Sequence, residues 1–247
     1  HADTNPSGMR LRAISPLRSV LSFAISSSAI GLRCSATLRA SAPTVLNKID
    51  AIRSPPLDKR EFRHITLANG LRALIVTDSE ADRAAAALVV RAGHFSDPEE
   101  MPGLAHFTEH MMFLGTAVDP EEGAFKAFLQ KHGGSSNAFT GMETTGFHFS
   151  VAPDHLPSAL DRFAAFFTCP LLRESSCSRE MNAVDSEYQR NLQDDQRRLF
   201  QLLKSTSSNE HPFRKFSTGN LETLSSVPAP HESVRSFYES NYHTGAM

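Results

Sequence analysis

Asn69-Gly70 sits between two stretches that alternate apolar and polar residues (FRHITLANGLRALIV), and it limits the fold more than any other feature of the chain. Glycine supplies a positive φ at no steric cost, so this dipeptide is the strongest short-range hairpin signal. The alternation gives each strand one apolar face. A third strand is expected over AAAALVVRAG, and two more about a short turn in SSNAFTGMETTGFHFSVA. Helical spacing then dominates. Helices are expected from about Pro102 to Leu114, over PEEGAFKAFLQKHGG with acids in its first turn, and over HLPSALDRFAAFF. A long polar helix should run from Glu174 to Ser205, another over HESVRSFYESNY, and a final strand near the end. Hairpin-linked strands followed by helices make the fold α+β: a mostly antiparallel sheet with helices packed on it.

Charge divides the chain. Met9 to Ile49 contains no Asp or Glu, yet carries Arg10, Arg12, Arg18, Arg33, Arg39 and a run of serines. That composition is expected of a disordered targeting segment over residues 1–49, directing import into a mitochondrion or plastid. A secretory signal, or a plain tail on a cytoplasmic protein, is the competing reading. Of 25 basic and 27 acidic residues, six basic and one acidic lie in 1–49, leaving residues 50–247 with 19 against 26. An acidic body argues against nucleic acid as partner. No stretch has the roughly 18 apolar residues of a membrane span. Cys34, Cys169 and Cys177 match no zinc-finger or CxxC spacing, and no disulfide framework is expected.

The run GLAHFTEHMMFLGT places His106, Glu109 and His110 among apolar residues. At about 100° per residue, the two histidines lie about 40° apart on one helix face, and Glu109 falls about 60° to the other side of His106. Two imidazoles at i and i+4 are half of a zinc site, and the nearby carboxylate can serve the metal's water. The order, His-x-x-Glu-His, inverts the commoner zinc-protease pattern. The competing reading is a set of satisfied polar groups in a core helix. A third protein ligand must come from elsewhere. Glu180, Glu187 and Asp194 follow one another at seven-residue intervals in the long polar helix, and spacing does not choose among them or exclude a solvated acidic stripe.

His106-Phe-Thr-Glu109-His110, followed by Glu187 in REMNAVDSEYQRN, resembles the M16 family of zinc peptidases (inverzincins), in its insulysin and nardilysin branch. The resemblance runs from about Phe62 to the end of the chain and includes GSSNAFT, ALDRFAAFF, RLFQL and HPFRKFSTGN. It implies the M16, LuxS-like domain over residues 50–247, and one zinc ion held by His106, His110 and Glu187. Glu109 would be the general base and Glu180 a carboxylate that orients a ligand histidine. SSNAFTG would be an edge strand on which a peptide substrate adds as a further strand, with Asn137, Ala138 and Phe139 as contacts.

Three positions depart from that branch. Thr108 replaces a cysteine, while His148 and Arg197 replace Tyr and Trp near the substrate side chain; Phe113 and Phe200 keep their aromatic character. The resemblance also implies that this is only the first of several homologous domains, C-terminally truncated. Activity would then need a missing C-terminal half or a partner chain. The alternatives are a truncated peptide-binding homologue that does not cut, and a processing-peptidase subunit.

Overall fold

The computed structural model describes residues 44–50 and 52–247. Among these the chain forms two three-stranded sheets, antiparallel throughout, with seven α-helices. Strands β1 (Val45–Ile49), β2 (Glu61–Leu67) and β3 (Arg72–Thr77) make the first sheet in that order. Gly70, at φ +88°, turns the β2–β3 hairpin, and Asn69 Oδ1 accepts from the Leu71 N–H. Most of the expected targeting segment, residues 1–43, lies outside the described residues. Its last part does not precede the fold: Val45–Ile49 pairs antiparallel with β2 as an exposed edge strand, with a register irregularity between Val45 and Asn47.

The second sheet orders β4 (Ala84–Val90), β6 (Thr145–Val151) and β5 (Ser135–Thr140), so β5 is an edge strand, as expected. Its inner face carries Phe147 and Phe149, which pack on Phe163 and Phe167 of helix α3 (Leu156–Thr168). Phe107 and Met111 of helix α1 (Leu104–Met112) are fully buried in the same core. Cys169 and Cys177 are free thiols. Among the described residues no helix is long and apolar enough to cross a membrane.

Several boundaries differ from expectation for local reasons. Helix α1 starts after Gly103 rather than at Pro102, because Gly103 takes a left-handed φ of +95°. Helix α2 (Ala124–Lys131) likewise begins after left-handed Gly123, which leaves Glu121 and Glu122 outside its first turn. The long polar helix is two, α4 (Glu174–Asn191) and α5 (Asp195–Ser205). Asp194 breaks it by accepting the Arg197 N–H as an N-cap. Helices α6 (Leu221–Leu224) and α7 (Pro230–Asn241) follow, and the expected last strand is instead a short 3₁₀ turn over Thr244–Ala246.

Candidate metal centre and peptide cleft

Helix α1 has no side-chain cap of its own at Gly103. Asp97 supplies one from six residues upstream, accepting the N–H groups of Gly103 (2.8 Å) and Ala105 (2.7 Å). This fixes the first turn, where N–H groups otherwise lack partners. Burial pushes the Asp97 carboxyl up to about 7 against those two bonds.

At the same end the backbones of Gly103 and Gly219 pass so closely that a Cβ on Gly103 would collide with Gly219. Gly219 is itself left-handed, at φ +77°. The approach brings the Thr218 carbonyl within 2.6 Å of His106 Nδ1. One turn along, His110 Nδ1 lies 2.7 Å from Glu180 Oε1 of α4. A carbonyl and a carboxylate only accept, so each Nδ1 carries its proton and donates. Nε2 of each ring is thereby the nitrogen left to bind a metal.

Those Nε2 atoms meet Glu187 Oε2 at 3.7 Å (His106) and 3.6 Å (His110), and the three ligand atoms all lie within 4.8 Å of one another. Ligand atoms about 2.0–2.2 Å from one zinc at tetrahedral angles stand roughly 3.3–3.6 Å apart, so the set fits the ion. The charges fit as well. Burial opposes a positive His110, but Glu180 and Glu187 outweigh it and hold its pKa up at about 9. The neighbouring His110, with His106 beside it, holds the Glu187 carboxyl below its ordinary value. A field that favours a proton at this point also favours a metal cation.

Of the three acids left open by spacing, Glu187 faces both imidazoles, Glu180 orients one of them, and Asp194 is spent on the α5 cap. Glu109, 8% exposed, sits beside the set, and burial raises its pKa. Its Oε2 accepts from Thr140 Oγ1 at 2.6 Å, at the end of β5. A cleft of about 300 Å³ runs between α1 and β5, lined by Glu109, His110, Glu180, Ser136, Asn137 and Ala138. Two of the three expected peptide contacts are therefore in it. Phe139 is not among its lining; it is half exposed and lies over its cross-strand partner Gly146.

His148 is exposed beside Asn137 in the β5–β6 register. Thr108 is fully buried, and its hydroxyl has no hydrogen-bond partner in the structure. Thr140, Thr218, Asp97 and the Gly103–Gly219 contact were not singled out from sequence. HPFRKFSTGN did mark the Thr218–Gly219 segment through the family resemblance, though a backbone acceptor has no side-chain signature.

The comparisons with known proteins agree with this geometry. Residues 72–216 match the family model "Insulinase (Peptidase family M16)". Mouse insulin-degrading enzyme is 47% identical over 212 residues, 84% of this chain and 21% of that protein. The A-factor-processing enzyme of Saccharomyces cerevisiae is 51% identical over 174 residues, 70% of this chain and 17% of that protein. The crystal structure of pitrilysin superposes with a TM-score of 0.78 at 38% identity, covering 81% of this chain and 22% of that one. The chain thus spans about a fifth of the length of these relatives. A match over more than half of the chain, with the inverted histidine motif inside it, makes this chain a member of the insulinase family, peptidase family M16.

Proposed function

We propose that this domain is the zinc-binding catalytic part of a metalloendopeptidase that cuts extended peptides. His106, His110 and Glu187 are the ligands, Glu109 is the general base, and Glu180 orients His110. The observation that carries the reading is the convergence of two Nε2 atoms and Glu187 Oε2, with both Nδ1 atoms already engaged. Zinc bound there would supply Lewis acidity, polarising a peptide carbonyl and acidifying water.

The chain's own groups do the rest. Thr140 occupies Glu109 Oε2, so Oε1 is the oxygen that takes a proton from the attacking water and passes it to the leaving amine. Burial raises the carboxyl's pKa and makes it a better proton acceptor. The free edge of β5 offers main-chain donors and acceptors to an added strand, with Asn137 and Ala138 at the cleft. We take Phe139 as a contact from the family resemblance alone.

Relatives five times longer support a second reading, in which this chain captures peptides and cutting needs a further half, in the same protein or on a partner chain. The acid-free, arginine-rich stretch Met9–Ile49 supports import into a mitochondrion or plastid.

Zinc per purified chain after dialysis, together with peptide cleavage by the chain and by Glu109→Gln, tests the proposal. One zinc in both is expected, with cleavage reduced about 10²- to 10⁴-fold in the variant. Absence of zinc defeats the metal reading, and undiminished cleavage by Glu109→Gln defeats the base. Zinc with no cleavage by either favours capture.

A further inference from the structure

A cavity of about 490 Å³ lies between the C-terminal end of α4, helix α5 and the 216–220 segment. It adjoins the metal centre through Thr218, which lines the cavity and whose carbonyl meets His106 Nδ1. Its walls pair aromatic and cationic chemistry. Tyr188 and Phe216 meet edge to face at 5.4 Å, and Arg197, Arg198 and Phe200 come from α5.

The two arginines are not equivalent. Arg198 is bound to Asp195 at 3.0 Å. Asp194, three residues before Arg197, has one oxygen engaged by the Arg197 backbone N–H. Among the described residues the Arg197 guanidinium has no hydrogen-bond or ion-pair partner, within a body that carries an excess of acids. A second donor is idle in the same lining: Asn191 Nδ2 is shielded from water and has no acceptor. The wall that presents Arg197 is anchored from behind. Lys204, on the buried side of α5, is fully enclosed, with its Nζ 3.5 Å from His94 Nε2.

We propose that this cavity receives a carboxylate of a bound peptide, either an acidic side chain or the C-terminus, on Arg197, and so gives the domain a preference for acidic peptides. Guanidinium and carboxylate match as planar, two-pronged partners. Tyr188 and Phe216 give the cavity an aromatic wall, and the unpartnered Asn191 amide in the same lining is a second donor. The inference rests on the peptide-binding reading above, but not on turnover or on the metal.

The test uses the full chain carrying Glu109→Gln, which keeps peptides intact, with zinc content measured on the same samples. The probes are fluorescent decapeptides in which one Glu is stepped through a neutral sequence. Each has a Gln counterpart, and each is made with a free and an amidated C-terminus. Affinities are read by anisotropy. At one position Glu should bind about tenfold tighter than Gln, the scale of one charge-assisted contact. Alternatively, free acid should exceed amide by that factor, which assigns the site to the C-terminus. The preference should vanish in Arg197→Gln, persist partly in Arg197→Lys, and survive Arg198→Gln. No preference, a preference that outlives Arg197→Gln, or no binding of any probe overturns the proposal. Zinc without the preference refutes only this inference, and the preference without zinc refutes only the metal reading.

Discussion

Helix α1 is bordered by two clusters of ionisable side chains, and they are built on different principles. At its N-terminus, His94, Asp97, Lys204 and Lys215 carry both signs of charge and bind mostly to backbone. Asp97 caps two N–H groups, His94 Nδ1 meets the Gly141 carbonyl at 2.9 Å, and Lys215 Nζ donates to the Asp97 carbonyl at 2.5 Å. Along the face turned to α4, the Nε2 atoms of two imidazoles and a carboxylate oxygen converge within 4.8 Å of one another. Buried polar groups are stable when partnered. The first cluster contains its own cationic partners, Lys204 and Lys215, and serves structure, whereas the second turns only histidine nitrogens and a carboxylate oxygen to one point, a set suited to hold a cation.

The largest expected effect comes from breaking the contact that the clusters share. Gly103→Ala puts a side chain at φ +95° against the Gly219 backbone. It should cost about 3 kcal/mol or more in unfolding free energy, by chemical denaturation, and zinc binding should fall with it as Thr218 is pushed off His106. Glu180→Gln is the gentler probe of the second cluster. It leaves Glu187 and both imidazoles but weakens the hold on His110, and should reduce zinc affinity about 10- to 100-fold in competition with a chelator. Unfolding in the absence of metal should change much less.

The smallest effect separates the clusters by pH. Burial lowers His94 to about 4, with Lys204 adding to the shift, and raises Asp97 to about 7. The unfolded values are near 6.5 and 3.9. Between about pH 4 and 6.5 the folded chain keeps a proton on Asp97 and refuses one on His94, while the unfolded chain does the reverse. Their effects on stability therefore offset, with Lys204, lowered by burial to about 8, charged throughout. Asp97→Asn should unmask His94, so that stability falls as pH drops through this window. His94→Gln should leave Asp97, so that stability falls as pH rises. Either slope is at most about 1.4 kcal/mol per pH unit, measured by urea titration at several pH values.

The same contrast explains what could be read from residues alone. Glycine after Asn69 and the alternation around it announce a hairpin, because they act locally. His106 and His110 share a face by helix geometry. The heptad of Glu180, Glu187 and Asp194 looked like one stripe, yet its members take three different roles, because a break in the helix depends on whether one aspartate turns to cap it. Asp97 escaped notice because it caps across six residues rather than from the adjacent position where caps are sought. Thr218 acts through a carbonyl, which every residue has. Thr140 could have been suspected only once β5 was known to run beside α1.

The bond from His106 to Thr218 spans 112 residues of chain. On the ribosome, then, the first imidazole emerges long before the carbonyl that orients it. At about 5–20 residues per second the gap is roughly 6 to 22 s. Glu187 follows His106 sooner than Thr218 does, so the ligand atoms are all present before the carbonyl that holds the first imidazole. The orientation of His106 is therefore set late in synthesis, when the 216–220 segment reaches the helix.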